Sequence, residues 1–190
     1  MTQPAIRDLA AGEADGCERI LRALPDWFGI ESSILDYTRD VTRMRTRVVE
    51  ADGDIVAFLT LKEHGPCAAE IQVMGVLPDR HAQGLGRRLV EDAEAWLDSR
   101  GVEFLQVKTL ADSHPDPHYA RTRGFYEHLG FRPFEESNAW GADNPCLVMV
   151  KHLGPRAVHA PRAMQSGGSD TTPADVLFLR NVALTGAELD

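Results

Sequence analysis

A glycine-rich turn between a strand and a helix is the part of this sequence best suited to chemistry. The stretch Glu70–Leu77 is apolar and long enough for a strand, and after it Gly84 and Gly86 open a helical pattern over Arg87–Arg100. Backbone N–H groups are unpaired at a helix N-terminus, the helix dipole favours negative charge there, and glycine lets a ligand approach the main chain closely. The turn therefore predicts an anion-binding site. Three cations strengthen this interpretation: Arg80, Arg87 and Arg88.

Two common phosphate-binding motifs do not fit this turn. A P-loop needs Gly-x-x-x-x-Gly-Lys-Ser/Thr, and a dinucleotide fingerprint needs a third glycine where this chain has Leu89. The turn instead resembles the signature of the GNAT superfamily of acyl-CoA-dependent N-acyltransferases. In that family the pattern Arg/Gln-x-x-Gly-x-Gly/Ala follows a strand and cradles the diphosphate of coenzyme A. Here the pattern runs from His81 to Gly86, with histidine in place of the usual first residue.

A second block of sequence supports the same resemblance. The segment Gly124–Phe131, GFYEHLGF, is similar to the tyrosine-bearing helix of the family followed by its Gly-Phe strand start. The resemblance covers roughly Ile6 to Leu153 and implies acetyl-CoA as the acyl donor. Tyr119 stands where the family often has asparagine. The implied cofactor contacts are Met74, Gly75, Val76, His81, Ala82, Gln83, Gly84, Leu85, Gly86, Arg87 and Tyr119.

The resemblance places Tyr126 at the family's general-acid position. A tyrosine pKa of about 10 against about 8.5 for a thiol makes full proton transfer in water uphill by about 2 kcal/mol. The minimal role is therefore a hydrogen bond to the developing thiolate. The alternative is a core tyrosine whose hydroxyl is satisfied by a backbone carbonyl.

Glu70 is the candidate for the base that deprotonates the acceptor amine. In the histone-acetylating branch of the family, the base glutamate precedes the glycine turn by the same spacing. Strand alternation predicts that Glu70, Gln72, Met74 and Val76 share one face. The alternative is an exposed glutamate at the edge of a strand. The oxyanion donor implied by the resemblance is a backbone N–H near Met74–Val76, where the family's strand carries a bulge.

The acceptor side is predicted less sharply. The resemblance implies that the segment between the first two strands lines it, so that Trp27, Phe28 and Tyr37 shape the substrate pocket, although core packing is the commoner explanation for such aromatics. The loop Trp140–Pro145 is expected near the same end. The His- and Asp-containing stretch Ala111–His118 is interpreted as a solvated loop stiffened by prolines, and no metal is expected.

The remaining segments predict the elements that position these residues. Asp52-Gly53-Asp54 is a hairpin turn signal. The further strands expected are Ile6–Leu9, Thr46–Ala51, Ile55–Lys62, Val102–Leu110, Phe131–Glu136 and Cys146–Leu153, and the further helices are Glu13–Leu24, Ser32–Arg43 with a serine cap, and Tyr119–Leu129. This alternation predicts an α/β fold. The resemblance implies three layers, with a mixed, mostly antiparallel sheet of six to seven strands flanked by about four helices.

Composition limits the function classes. The formal net charge of −9 over 190 residues argues against nucleic acid, which needs a basic face, and is compatible with a cationic amine drawn to an acidic cleft. Coenzyme A is itself an anion, so its site must be locally positive. No run of about 20 apolar residues could span a membrane, and the absence of an export signal points to the cytoplasm.

The chain is predicted to contain an acyltransferase domain over residues 1–153 and a linker with a C-terminal arm over residues 154–190. Residues 166–169 read as linker, and the apolar run 176–184 packs on its own domain, contacts a partner subunit in a possible homodimer, or is a disordered tail. The leading hypothesis is an acetyl-CoA-dependent N-acetyltransferase acting on a primary amine of a small molecule or peptide. The alternative is an acyl-CoA-binding regulatory module without turnover.

Overall fold

A computed structural model describes residues 4–141 and 143–154 of the chain. Its centre is a seven-stranded sheet in the order β1-β2-β3-β4-β5-β7-β6. Neighbouring strands are antiparallel except β4 and β5, which run parallel. The strands are β1 Ile6–Asp8, β2 Arg45–Ala51, β3 Asp54–Glu63, β4 Ala68–Val76, β5 Phe104–Leu110, β6 Arg132–Ser137 and β7 Cys146–His152.

Among the described residues, four helices cover the two faces of the sheet, which confirms the predicted α/β fold. They are α1 Ala14–Arg22, α2 Glu31–Arg43, α3 Leu85–Ser99 and α4 Pro117–His128, with a 3₁₀ turn at Pro78–Arg80. Helices α1 and α2 bury residues such as Ile20 and Ile34 against one face, whereas α3 and α4 bury Leu89 and Tyr126 against the other. No helix among the described residues has the length and apolar character to cross a membrane.

Local signals located the element boundaries well, with one error. Asp52 and Gly53 both have positive φ, 55° and 84°, which is the backbone that a tight hairpin turn requires. The predicted serine cap of α2 is wrong. That helix begins at Glu31, and its capping residue Ile30 makes no side-chain hydrogen bond to the helix. Of the predicted linker and arm, residues 154–190, all but Gly154 lie outside the described part of the chain.

Strands β4 and β5 separate partway along their length. Their pairing ends at Ile71 opposite Val107, yet β4 continues to Val76 and β5 to Leu110. Within the described residues, the edge of β4 that faces β5 therefore has no partner strand beyond Ile71. A gap opens through the sheet at this point.

A bulge in β4 overturns the predicted alternation of side chains. Thr60 of β3 pairs with Val73, but the next residue, Leu61, pairs with Ile71, so Gln72 is the extra residue. Val73 packs with the α1/α2 side, whereas Met74 and Val76 pack with the α3/α4 side. The bulge thus separates Glu70 and Gln72 from Met74 and Val76, so the prediction that these four residues share one face is wrong.

Candidate active site

The glycine turn presents a row of free backbone donors. Ala82 and Gly84 both adopt left-handed backbone, with φ of 58° and 77°. The first helical bond of α3 is donated by Arg88 N to Gly84 O at 3.1 Å. In the described chain, no hydrogen bond is donated by the N–H groups of residues 82–87. Left-handed residues within a turn curl successive N–H groups around a concavity that suits an anion.

Side chains around the turn divide into two groups. Arg80 and Arg87 line a groove that begins at the turn. Arg88 instead donates to Pro4 O at 2.7 Å and lies outside this lining, so its predicted contribution to the anion site is wrong. Gln83 is also absent from the lining, and its amide donates to Asp79 O at 3.1 Å. Its contact with a cofactor stays a prediction that rests on its backbone N–H.

The open edge of β4 continues the anion site with main-chain groups. Leu77 N donates to Val56 O of β3 at 2.9 Å. Because hydrogen-bonded and non-bonded positions alternate along antiparallel strands, Gly75 also faces β3, whereas Met74 and Val76 direct their N–H and C=O groups to the gap. Gly75 has another role: a Cβ there would lie 2.8 Å from Ile20, so glycine allows α1 to pack closely.

His81 connects the turn to this open edge. Its Nε2 lies 2.8 Å from Val76 O, one of the carbonyls directed to the gap. The histidine that replaces the usual arginine or glutamine of the family thus contacts the protein main chain in this structure. The backbone donors of the turn are unaffected by that contact.

The turn and the gap belong to one groove with a volume of about 1030 Å³. Its wall includes parts of β4 and β5, the start of α3, one face of α4 and the loop between α1 and α2. Among the lining residues that the structure describes, none is acidic, and four are arginine or lysine: Arg80, Arg87, Lys108 and Arg121. A locally positive groove in a chain of net charge −9 is the arrangement that an anionic cofactor requires.

Tyr126 lies in the wall of the groove on the α3/α4 side. It is 5% exposed, and its ring packs edge-to-face against Phe125 and Phe131 at centroid distances of 5.1 and 5.3 Å. Burial raises the pKa of Tyr126. In the described residues its hydroxyl has no hydrogen-bond partner, so it can be offered to a bound molecule. The raised pKa makes complete proton transfer to a thiolate still less favourable, which leaves hydrogen-bond donation as the role compatible with this environment.

Trp27 spans two walls of the groove. Its indole Nε1 donates to Thr122 Oγ1 of α4 at 2.9 Å, and its carbonyl accepts a hydrogen bond from the Tyr119 hydroxyl at 3.0 Å. Its ring also stands edge-on to His81, 6.3 Å between centroids. We call Trp27 and these contacts the Trp27 strap. Burial raises the pKa of Tyr119 to about 12, so this hydroxyl stays a donor to the strap.

The other two predicted acceptor-side aromatics lie at the far end of the groove. Phe28 and Tyr37 pack edge-to-face, 5.8 Å between centroids, and both also pack against the core cluster under α1 and α2. Burial raises the pKa of Tyr37, and the nearby carboxylates Asp40 and Glu70 add to the effect. These side chains line the groove and also pack in the core, so a place in the substrate pocket and a place in the core are compatible for both residues.

Glu70 lies behind the groove wall and is not among its lining residues. The residue is 3% exposed. Its carboxylate accepts hydrogen bonds from Lys108 at 3.0 Å and Gln106 at 2.9 Å, and lies 2.6 Å from His64 Nε2. Burial by itself raises the pKa of Glu70, but the bonds from Gln106, Lys108 and His64 outweigh it and leave the pKa lowered. A carboxylate with three partners and a lowered pKa is a poor proton acceptor for an amine in the groove.

Several groove residues were not singled out from sequence. Lys108 follows the last residue of β5 that pairs with β4, and it lines the groove. The available signal was a single charged residue in the strand FLQVKTL. Phe125 packs against Gly86, one of the predicted cofactor contacts: a Cβ on Gly86 would lie 3.3 Å from the Phe125 ring, so α3 and α4 approach closely here. Others on the wall are Gln72, Thr109 and Phe125, while Trp140 and Asn144 belong to the loop Trp140–Pro145 that was expected near the acceptor end.

The Asp- and His-containing loop before α4 has a structural role in this fold. Asp116 accepts hydrogen bonds from His118 N at 2.8 Å and Tyr119 N at 3.0 Å, and so caps α4. These bonds lower the pKa of Asp116, chiefly the bond from Tyr119. The cap fixes the start of the helix that carries Tyr119, Thr122 and Tyr126.

A domain profile and the curated relatives described here all indicate an acetyltransferase. The acetyltransferase (GNAT) domain profile matches residues 43–133. A mycothiol acetyltransferase of Beutenbergia cavernae is 36% identical over 84 residues, which are 44% of this chain and 26% of that protein. An uncharacterized N-acetyltransferase of Chlorobaculum tepidum is 35% identical over 81 residues, 43% of this chain and 42% of that protein. The chain therefore matches between a quarter and a half of the length of these relatives.

Solved structures share the fold. The ribosomal-protein-S18-alanine N-acetyltransferase of Escherichia coli superposes with a TM-score of 0.67 at 20% identity, covering 83% of this chain and 99% of that one. An aminoglycoside 6'-N-acetyltransferase of Enterococcus faecium gives 0.61 at 22% identity, covering 80% and 98%. A GNAT family acetyltransferase of Elizabethkingia anophelis, solved with acetyl-CoA bound, gives 0.63 at 16% identity, covering 80% and 99%.

Proposed function

Because residues 43–133 match the acetyltransferase (GNAT) domain, we propose that the chain is an acetyl-CoA-dependent N-acetyltransferase of the GNAT superfamily that acts on a primary amine of a small molecule or peptide. The observation that carries this proposal is the row of unpaired N–H groups over residues 82–87, continuous with a positive groove and the open edge of β4. The diphosphate of acetyl-CoA would bind these N–H groups, with Arg80 and Arg87 supplying charge. Met74 and Val76 would meet the pantetheine arm and the thioester.

The reaction is a direct displacement at the thioester carbonyl. The amine nitrogen forms a bond to the acetyl carbon, the carbon–sulfur bond breaks, and the thiolate of coenzyme A leaves. The Tyr126 hydroxyl would donate a hydrogen bond to that sulfur as its negative charge develops. Backbone N–H groups at the open edge of β4 would stabilise the oxyanion.

The acceptor must lose a proton, since a simple alkylamine is mostly an ammonium ion at neutral pH. With Glu70 engaged by three partners, we propose that it orients Lys108 rather than acting as the base. The proton then leaves to solvent in the open groove. Turnover at low amine concentration should accordingly rise with pH toward the pKa of the acceptor amine.

The test combines binding with turnover. Calorimetric titration should show acetyl-CoA binding in the micromolar range, and mixing with an amine library should release free thiol from at least one acceptor. Acetyl-CoA binding without thiol release from any amine would instead favour the regulatory module. Absence of binding would contradict both functions.

A further inference from the structure

The charges around the acceptor end of the groove differ from those expected for a polycationic substrate. Lys108 contributes a cation to the lining, and its partner Glu70 lies behind the wall; none of the described lining residues is a carboxylate. Aromatic and aliphatic side chains, including Phe28 and Ile30, make up much of the surrounding wall. A substrate with several ammonium groups would find no counter-charge on these surfaces.

A neighbouring pocket of about 550 Å³ beside α2 does not change this conclusion. It contains two aspartates, but also Arg39 and Arg43. Asp36 pairs with Arg39, and Asp40 accepts a hydrogen bond from the Gln72 amide at 2.7 Å. The pocket therefore offers balanced charges that are already paired in part, and no excess of negative charge for a polycation.

We propose that the acceptor is an amine with an apolar body and an anionic group, and that Lys108 binds the anionic group. This inference rests on the proposed function and narrows its substrate class. Lys108 is suited to the role because Glu70 holds its Nζ at 3.0 Å from both carboxylate oxygens, while the lysine side chain stays 34% exposed. Glu70 is the positioning residue, and the ammonium has a further N–H for the substrate.

Matched acceptors test the charge requirement. Apolar L-amino acids such as phenylalanine and leucine would be compared with their amides, and O-phosphoethanolamine with ethanolamine, each at equal concentrations of unprotonated amine, so that the rates within a pair report on the carboxylate or the phosphate. We expect kcat/KM to be about tenfold higher for the anionic member of the best pair, the effect of one charge-assisted hydrogen bond. The pair that responds identifies the anion. Equal rates within every pair, or faster turnover of spermidine, would overturn the inference while upholding the acetyltransferase function.

Substitution of the lysine links the preference to this residue. Lys108→Met should raise the KM for the anionic acceptor about tenfold, whereas the KM for the uncharged acceptor of the same pair should change by less than about twofold. Lys62→Met, a change on β3 outside the groove lining, should alter neither. Because Lys108→Met leaves Glu70 without its ion partner, the double variant Glu70→Gln/Lys108→Met, which removes both charges, repeats the test if the single variant folds poorly. Equal loss for both members of the pair would contradict anion binding by Lys108. If none of the amines tested causes the wild-type protein to release thiol from acetyl-CoA, the proposed function itself fails.

Discussion

The ammonium of Lys108 lies 3.0 Å from both carboxylate oxygens of Glu70. The two residues stand next to the last pair of β4 and β5, Ile71 and Val107: Glu70 precedes Ile71, and Lys108 follows Val107. The contact joins the buried side of the sheet to the groove, because Glu70 is 3% exposed whereas Lys108 lines the groove. A glutamate at the spacing of a catalytic base is thus held as one partner of an ion pair. This arrangement leads to a prediction about stability and a prediction about rate.

Replacing Glu70 should show its effect on stability as a function of pH. Its pKa is lowered from the ordinary value of 4.5, so the stabilisation is present above that value and is lost as pH falls through the lowered pKa of the folded state. At neutral pH, Glu70→Gln should lower the free energy of unfolding by about 2 kcal/mol. Denaturant titrations at a series of pH values should show this difference shrinking in acid. A difference independent of pH would mean that the ionised carboxylate is not what stabilises the fold.

The same variant bears on the base. We expect Glu70→Gln to keep the shape of the pH–rate profile, because the carboxylate is engaged by Lys108, Gln106 and His64. The measurement is kcat/KM for the amine across pH with acetyl-CoA saturating. If an ionisation seen in the wild-type pH–rate profile were missing from that of Glu70→Gln, Glu70 would be the base after all.

Features of short range were predictable from sequence, and features that depend on strand register were not. The turn at His81–Gly86 and the hairpin at Asp52-Gly53 are encoded by glycine and by the residues next to it, so local physics was sufficient. The bulge at Gln72 depends on how β3 and β4 align, and the residue types around it do not predict it. The Glu70–Lys108 pair likewise needs the parallel register of β4 and β5, two strands that are distant in sequence.

The conformation of Gly84 predicts a measurable cost for a methyl group. With φ of 77° and open space around the position, Gly84→Ala meets no clash but must hold alanine in left-handed backbone, at a cost of about 1 kcal/mol. Because the turn would relax to avoid this cost, we expect acetyl-CoA affinity to fall about fivefold in calorimetry. Gly124→Ala is the matched control: it lies inside α4 with open space, and should stabilise the protein by about 1 kcal/mol without changing the affinity. Unchanged affinity in Gly84→Ala would argue against diphosphate binding at this turn.

The Trp27 strap predicts an effect on cofactor release. Thr122→Val removes the acceptor of the indole hydrogen bond while keeping the side-chain volume, so the strap should open more readily. We expect the dissociation rate of coenzyme A to rise about fivefold, as for the loss of one hydrogen bond. Stopped-flow displacement would measure it. Thr42→Val, which removes an exposed hydroxyl bonded to Arg39 O on α2, should leave the rate unchanged. If Thr122→Val matched that control, the strap would not limit release.

Tyr126 provides the prediction closest to the chemistry. Its ring is fixed by Phe125 and Phe131, so Tyr126→Phe should preserve packing and remove only the hydroxyl. We expect kcat to fall about tenfold to a hundredfold, because the leaving thiolate loses a hydrogen bond that strengthens in the transition state, while the Kd for acetyl-CoA changes less than twofold. Because burial raises the pKa of Tyr126, ionisation of its hydroxyl should not limit the rate of the wild-type enzyme at neutral pH. Steady-state kinetics and calorimetry on the same preparations separate the two effects. Parallel losses in kcat and in cofactor affinity would show that the hydroxyl contributes to ground-state binding and not to leaving-group stabilisation.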